Sequence, residues 1–219
     1  MTHSRSPDAS IQPLDPATAT LVRLSACITS GTEADVRRAI ADCVATVTSA
    51  RWMEELVLQS YLFAGFPRAL NAAREWRRAA GAHEAPPDAE GPAEGYADLY
   101  EWRMRGEGTC EEVYGRNYAK LRANIRALHP ALDEWMIVEG YGKVLSRPGL
   151  DLVRRELCVV AACVAAGQDR QLHSHLLGAL NAGATAPQVS ATLDALEGTV
   201  GGVELERARR LWDRVRTDG

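Results

Sequence analysis

The chain matches itself when it is shifted by 136 residues, and this repeat restricts the folds that are open to it. Residues 14–77 align on residues 150–213 without a gap. Glycines recur at presumed helix ends, and a rare tryptophan also recurs. Among the identical pairs are Leu14/Leu150, Cys27/Cys163, Gly31/Gly167, Gly65/Gly201 and Trp76/Trp212. We interpret the match as an internal duplication, in which each copy leaves one apolar face for the other copy to cover.

Both copies have the alanine-rich, apolar pattern of closely packed helices, so the predicted fold class is all-α. Glycines are expected to end helices at Gly167 and Gly183, because glycine adopts the left-handed conformation of a helix C-terminus without penalty. Thr185 is expected to cap a helix that carries Pro187 in its first turn. The predicted helices cover about 15–30, 33–45, 51–64 and 67–80 in the first copy, and 150–166, 169–182, 187–197 and 203–216 in the second.

These helices define the predicted organisation of the chain. A disordered tail precedes the first copy, which is degenerate. A linker rich in proline, glycine and acidic residues follows the first copy. A connecting helical segment then leads to the second copy. The predicted boundaries are 1–13 for the tail, 14–80 for the first copy, 81–95 for the linker, 96–149 for the connecting segment and 150–216 for the second copy.

Within the connecting segment, Thr109 is expected to cap a helix, with Glu112 at the capping-box position. This helix is expected to begin near Cys110 and to end at Leu128, before His129 and Pro130. Residues 131–143 predict a short helix or an extended apolar piece.

Charge and cysteine content exclude several classes of protein. The net charge is −4 without a basic stripe, so nucleic acid is not an expected partner. No apolar run reaches the ~18 residues of a membrane span, and the polar start of the chain does not resemble a secretory signal. We therefore expect no membrane partner and a cytoplasmic location. The five cysteines form no Cys-x-x-Cys pair, which argues against a disulfide framework or a cysteine-rich zinc site.

Glu156 and His175 are the candidate catalytic residues. Glu156 lies eleven residues before Gly167 and His175 lies eight after it, so antiparallel helices would place them at heights that differ by about 5 Å. A buried carboxylate that faces a histidine can transfer protons. The equivalent positions of the first copy hold Thr20 and Ala39, so a site of this kind belongs to the second copy.

Other roles remain open for these residues. Glu156 can form a structural salt bridge with a nearby arginine, and His175 can be a hydrogen-bonded core histidine. His173 is a further candidate, although it points to a different side of the helix. Because His173 and His175 are two residues apart, they do not converge on one ion, so we expect no metal; a site with Glu156 as a third ligand is the alternative.

Several motifs resemble those of the carboxymuconolactone decarboxylase family, which belongs to a superfamily with the alkylhydroperoxidase D-like proteins. They are Tyr141-Gly-Lys-Val-Leu-Ser-Arg-Pro-Gly-Leu-Asp151, Arg155-Glu156-Leu157, Leu172-His173-Ser174-His175, Ala179-Leu180-Asn181, Gly183-Ala184-Thr185 and, in the first copy, Leu56-Val-Leu-Gln59 and Phe63-Ala-Gly-Phe-Pro-Arg-Ala-Leu-Asn-Ala72. The resemblance implies an all-helical fold around a helical hairpin, and assembly into trimers or hexamers. For this duplicated chain we favour a homotrimer.

In the decarboxylase branch, the resemblance implies a reaction without a cofactor. A small lactone acid loses CO₂, and an acid/base group protonates the resulting carbanion or enolate. Glu156 and His175 correspond to the proton-transfer groups. Arg155 or Arg147 is expected to bind the substrate carboxylate through a guanidinium fork, with His173 as a further substrate-binding residue.

In the peroxidase branch, a Cys-x-x-Cys pair precedes the histidine, and here its positions hold Gln168 and Gln171. Neither side chain can form a thiolate, so thiol peroxidase chemistry is not expected by that route. Cys158 and Cys163 are the candidates for a displaced redox pair. Three functions remain open: an acid/base enzyme, a non-catalytic oligomeric or ligand-binding protein, and residual peroxidase-like activity.

Overall fold

A computed structural model describes residues 14–46, 48–82, 88 and 96–218 of the chain. The predicted disordered tail, 1–13, and most of the predicted linker, 81–95, lie outside the described residues. The structure is all-helical over the ranges it describes, which confirms the predicted fold class. None of the helices in these ranges is long and apolar enough to cross a membrane.

The first unit consists of four helices, which are α1 (Pro16–Ser30), α2 (Glu33–Ala45), α3 (Ala50–Gln59) and α4 (Tyr61–Ala79). Asp15 caps α1 by accepting a hydrogen bond from the amide of Thr18. In α4 the helix breaks at Gly65, where φ is 79° and ψ is 161°, as the Gly-Phe-Pro sequence predicted.

The connecting segment contains α5 (Tyr96–Tyr114), a 3₁₀ turn (Gly115–Asn117), α6 (Tyr118–Leu128) and α7 (Pro130–Trp135), followed by a π-helix (Met136–Leu145). The predicted helix start at Thr109 is wrong, because Thr109 lies inside α5. The chain breaks instead at Gly115, where φ is +50°. The predicted helix end at Leu128 is confirmed.

The π-helix packs directly on α5 through two glycines. A methyl group at Gly106 would meet the carbonyl oxygen of Ile137, and one at Gly142 would meet the carbonyl oxygen of Trp102. The missing side chains therefore allow the two backbones to touch. This close approach brings Tyr141 of the π-helix against Tyr114 of α5, with ring centroids 6.3 Å apart.

The second unit consists of α8 (Leu152–Ala165), α9 (Asp169–Asn181), α10 (Ala186–Ala195) and α11 (Gly202–Asp218). Gly167 and Gly183 have φ of 66° and 104°, so both adopt the left-handed conformation predicted at the helix ends. Thr185 caps α10 in a capping box with Gln188, as expected.

The two units correspond in helix position and in detail. Pro16, Glu33 and Ala50 begin α1, α2 and α3, and Leu152, Asp169 and Ala186 begin the equivalent helices, each 136 residues later. The indole of Trp76 donates to Glu54, and the indole of Trp212 donates to Ser190 at the equivalent position. These correspondences favour a duplication, which stays a prediction.

The hydrophobic core joins the two units. One large cluster contains buried residues of both units, and α1 lies against α8, where the Ser25 hydroxyl donates to the carbonyl of Cys158 at 2.7 Å. A smaller cluster beside it contains Cys110, Val113 and Tyr141 from α5 and the π-helix. The candidate site lies where α5, α8 and α9 meet, because α9 packs on both of the other helices.

Candidate functional site

Glu156 and His175 form a direct hydrogen bond in the core. Glu156 projects from α8 and is fully buried, and His175 projects from α9 with 5% of its surface exposed. His175 Nδ1 lies 2.8 Å from Glu156 Oε2. The helical hairpin around Gly167 therefore brings together the two residues that the spacing predicted to be close.

This hydrogen bond sets the chemistry of the imidazole. An ionised Glu156 can only accept, so Nδ1 carries the proton of the bond and Nε2 keeps its lone pair. Among the described residues, Nε2 has no hydrogen-bond partner, and 7% of the His175 side chain remains exposed. The ring therefore has one nitrogen held by a carboxylate and one without a hydrogen-bond partner among the described residues.

Weak acids surround the carboxylate. Glu156 Oε1 is buried without a hydrogen-bond partner among the described residues. Burial raises the pKa of Tyr114, Cys110 and Cys163 to about 12 each, and the negative charge of Glu156 contributes to each rise. The pKa of Tyr141 is raised well above its usual value for the same two reasons. These hydroxyls and thiols therefore stay neutral around the carboxylate.

Gly178 makes room for the Glu156 carboxylate. A methyl group at Gly178 would lie 2.7 Å from Glu156 Oε2 and 2.7 Å from Val113 Cγ1. Gly178 was not predicted as a site residue, although a glycine inside a helical run is itself a sequence signal. Glycine inside the helical run Leu176–Leu180 costs about 1 kcal/mol relative to alanine, so its presence there indicates a steric requirement.

We expect Gly178→Ala to lower the free energy of unfolding by about 1–3 kcal/mol, because the added methyl group overpacks the site. Urea denaturation followed by circular dichroism measures this change. Gly108→Ala in α5 is the matched control, since a methyl group there meets nothing within 4 Å. The control should gain up to about 1 kcal/mol from helix propensity. Equal stabilisation of both variants would contradict the steric role of Gly178.

Two aromatic rings flank His175. The ring of Phe63 lies edge-on at a centroid distance of 6.0 Å, and that of Tyr114 lies edge-on at 6.3 Å. Tyr114 also packs edge-on against Tyr141 at a centroid distance of 6.3 Å. Phe63 was quoted only within a family motif and Tyr114 was not predicted at all, because each comes from a segment distant in sequence from α8 and α9.

Arg155 does not reach the site, although it immediately precedes Glu156 in the sequence. Its side chain is fully buried, and its donors bind Glu55 at 2.8 Å and Gln59 at 3.2 Å on α3. It also donates to the carbonyl oxygens of Leu150 and Arg147. With its guanidinium enclosed by these acceptors, Arg155 ties α8 to α3, and its placement favours a structural role over substrate binding.

Arg147 joins the same cluster. Its Nε lies 3.2 Å from Glu55 Oε2, and its Nη2 lies 2.6 Å from Asp88. Only 9% of its side chain is exposed. Glu55 is therefore shared between Arg147 and Arg155, and this placement also favours a structural role.

His173 lies on the outer side of α9, where it is exposed and lines a cavity between α9 and the α5–α6 junction. It does not take part in the Glu156–His175 hydrogen bond. Over the described ranges, no group of three or more histidine, cysteine or acidic side chains is arranged to hold a metal ion.

The five cysteines are buried free thiols. Burial raises the pKa of Cys27 and Cys43 to about 11, that of Cys163 to about 12, and that of Cys158 above its usual value. Because the thiolate is the reactive form, none of these thiols has the environment of a peroxidatic cysteine.

We expect the five thiols of the native protein to resist a disulfide reagent such as Ellman's reagent at about pH 8, and to react in denaturant. The same shifts make stability depend on pH. A thiol neutral in the folded state contributes stability below its ordinary pKa of 9.0, and this contribution declines as pH rises towards about 11. Rapid labelling of Cys158 or Cys163 by the reagent in the native protein would contradict the expected protection of the thiols.

A match to a family of known proteins covers the part of the chain that contains this pair. The model of the carboxymuconolactone decarboxylase family matches residues 130–214, a range that contains both Glu156 and His175. The chain is also 31% identical over 147 residues to Peroxisomal protein 2 of Schizosaccharomyces pombe, and the match covers 66% of this chain and 67% of that protein. On these matches and its all-helical fold, the chain belongs to the carboxymuconolactone decarboxylase family.

Proposed function

We propose that the protein is a cofactor-free acid/base enzyme that decarboxylates or isomerises a small lactone or carboxylic acid. The observation that carries the proposal is the buried 2.8 Å hydrogen bond between Glu156 and His175 Nδ1. It orients the imidazole so that its other nitrogen, Nε2, is the one that can exchange a proton with a substrate. Membership of the family supports the same class of reaction.

In a decarboxylation, the carbon–carbon bond to the carboxylate breaks and CO₂ leaves, while the electron pair stays on the substrate as a carbanion or enolate. Protonated His175 then delivers a proton from Nε2 to that carbon, and the imidazole regains a proton from solvent. In an isomerisation, neutral Nε2 first accepts the substrate proton and later returns it. In both cases Glu156 holds the Nδ1 proton and balances the charge of the imidazolium.

The test is CO₂ release from a panel of carboxylated γ-lactones, run in D₂O to label the product. Turnover with one deuterium at the former carboxylate-bearing carbon supports the proposal. Absence of turnover across the panel counts against it and favours the second candidate.

The second candidate is a non-catalytic ligand-binding or oligomeric member of the family. The low exposure of the pair favours it, because Glu156 is fully buried and only 7% of the His175 side chain is accessible. Neither Glu156 nor His175 is among the residues that line the cavity beside His173. Peroxidase-like activity through Cys158 or Cys163 is the least supported function, since both thiols are buried with raised pKa values.

Assembly and location remain part of the proposal. We infer a homotrimer, which light scattering after gel filtration tests directly. The cytoplasmic location predicted from the sequence stays a prediction, and the name of the S. pombe relative favours the peroxisome instead. Imaging of a tagged chain distinguishes the two locations.

A further inference from the structure

The polar cavity lined by His173 lies beside the Glu156–His175 pair. It has a volume of about 320 Å³ and is enclosed by the end of α5, the 3₁₀ turn, α6 and the outer side of α9. This volume falls in the range of small-molecule sites. The residues that carry the argument are Tyr114, Asn117, Lys120, Asn124, His173 and Asn181.

The backbone break between α5 and α6 builds this cavity. Gly115, with φ of +50°, turns the chain between α5 and the 3₁₀ turn. The side chain of Asn181 on α9 binds the backbone just before this turn, because its Nδ2 donates to Val113 O at 2.8 Å. The contact fixes α9 against the turn, so the cavity has a defined wall.

The lining favours an anion. Lys120 supplies a positive charge, and the asparagines and His173 supply hydrogen-bond donors, while no aspartate or glutamate is among the described lining residues. Lys120 has no ion-pair partner within the described part of the chain. The other lysine, Lys143, pairs with Glu139 at 2.9 Å and lies over the ring of Trp102.

Tyr114 connects the cavity to the buried pair. Its side chain lines the cavity, and its ring contacts that of His175 at 6.3 Å. A ligand in the cavity therefore lies next to the residue that touches the acid/base histidine. Since Arg155 and Arg147 are enclosed by Glu55 and its neighbours, Lys120 is the cation better placed to hold a substrate carboxylate.

We propose that this cavity binds a small organic carboxylate, with Lys120 as its charge partner and His173 and the asparagines as hydrogen-bond donors. The identification of that ligand as the substrate rests on the proposed function, whereas binding itself does not. His173 thereby keeps the substrate-binding role that its sequence position suggested, in a cavity formed with α6.

Isothermal titration with benzoate tests the proposal, with neutral benzamide as the isosteric comparison and inorganic phosphate as the competing anion. We expect benzoate to bind more tightly than benzamide, and Lys120→Met to weaken benzoate binding by about tenfold or more. Lys143→Met is the matched control and should leave binding unchanged. Circular dichroism verifies that both variants are folded, which is expected for the exposed Lys120.

Undetectable benzoate binding, equal affinity for benzamide, or an unchanged affinity in Lys120→Met would overturn the proposal. Binding of phosphate without benzoate would overturn the assignment to carboxylates. His175→Gln separates this proposal from the proposed function, because it should reduce turnover by about 10²–10⁴-fold and leave benzoate binding intact. If the wild-type protein binds benzoate but turns over no lactone acid, the binding site is supported and the proposed enzymatic function is rejected.

Discussion

His175→Gln is expected to reduce turnover on a carboxylated lactone by about 10²–10⁴-fold, the contribution of a positioned acid/base group. Glutamine is close in size and can keep a hydrogen bond to Glu156, but it cannot accept or deliver a proton at the position of Nε2. CO₂ release, measured at saturating substrate, gives the loss in kcat.

Glu156→Gln separates orientation from proton transfer at the same site. The amide keeps the shape of the carboxylate beside Gly178 but no longer balances an imidazolium, so kcat should fall while the fold is retained. His129→Gln is the control, because His129 is exposed at the start of α7. Unchanged kcat in His175→Gln would eliminate the acid/base role.

Arg155→Met is expected to destabilise the fold by about 3–5 kcal/mol, because it leaves the buried carboxylate of Glu55 with only part of its compensation. The side chain of Arg155 is fully buried and that of Glu55 is 6% exposed. The substitution also removes the hydrogen bonds that the Arg155 guanidinium donates to the side-chain oxygen of Gln59 and to two backbone carbonyls. Urea denaturation measures the loss.

The neighbouring arginine provides a matched control. Arg154 binds Asp15 and Asp151 near the surface, and 27% of its side chain is exposed. Arg154→Met should therefore cost about 1 kcal/mol or less. A double variant, Glu55→Gln with Arg155→Met, should recover part of the loss because it removes the uncompensated charge. Equal costs for the two single arginine variants would contradict the structural role of Arg155.

Local signals account for the parts of the fold that were predicted correctly. Gly167 and Gly183 mark helix ends through backbone conformation, and Thr185 marks a helix start through a side-chain cap, so each depends only on a few neighbouring residues. The Glu156–His175 contact follows from the same local hairpin. Its two residues are 19 positions apart and are joined by a single turn.

The parts that were missed depend on contacts between distant segments. Thr109 and Glu112 have the spacing of a capping box, but α5 continues through them and packs on the π-helix. The π-helix requires the backbone contact at Gly106 and Gly142, which no local pattern reveals.

Arg155 illustrates the same limit at the level of a side chain. It stands next to Glu156 in sequence, but adjacent residues of a helix point about 100° apart. Its charged partner, Glu55, is 100 residues away. Sequence proximity therefore suggested a shared site, whereas the tertiary structure separates a buried ion-pair cluster from the acid/base pair.

The imidazole nitrogens of His175 test the central claim most directly, since the account requires Glu156 to hold the Nδ1 proton and to leave Nε2 free. Long-range ¹H–¹⁵N NMR of the labelled protein reads the protonation of each nitrogen, and His175→Gln assigns the signals among the five histidines. The account predicts that Nδ1 is protonated in a single fixed tautomer and that Glu156→Gln removes this preference. A proton on Nε2 with none on Nδ1, or rapid exchange between tautomers in the wild-type protein, would contradict it.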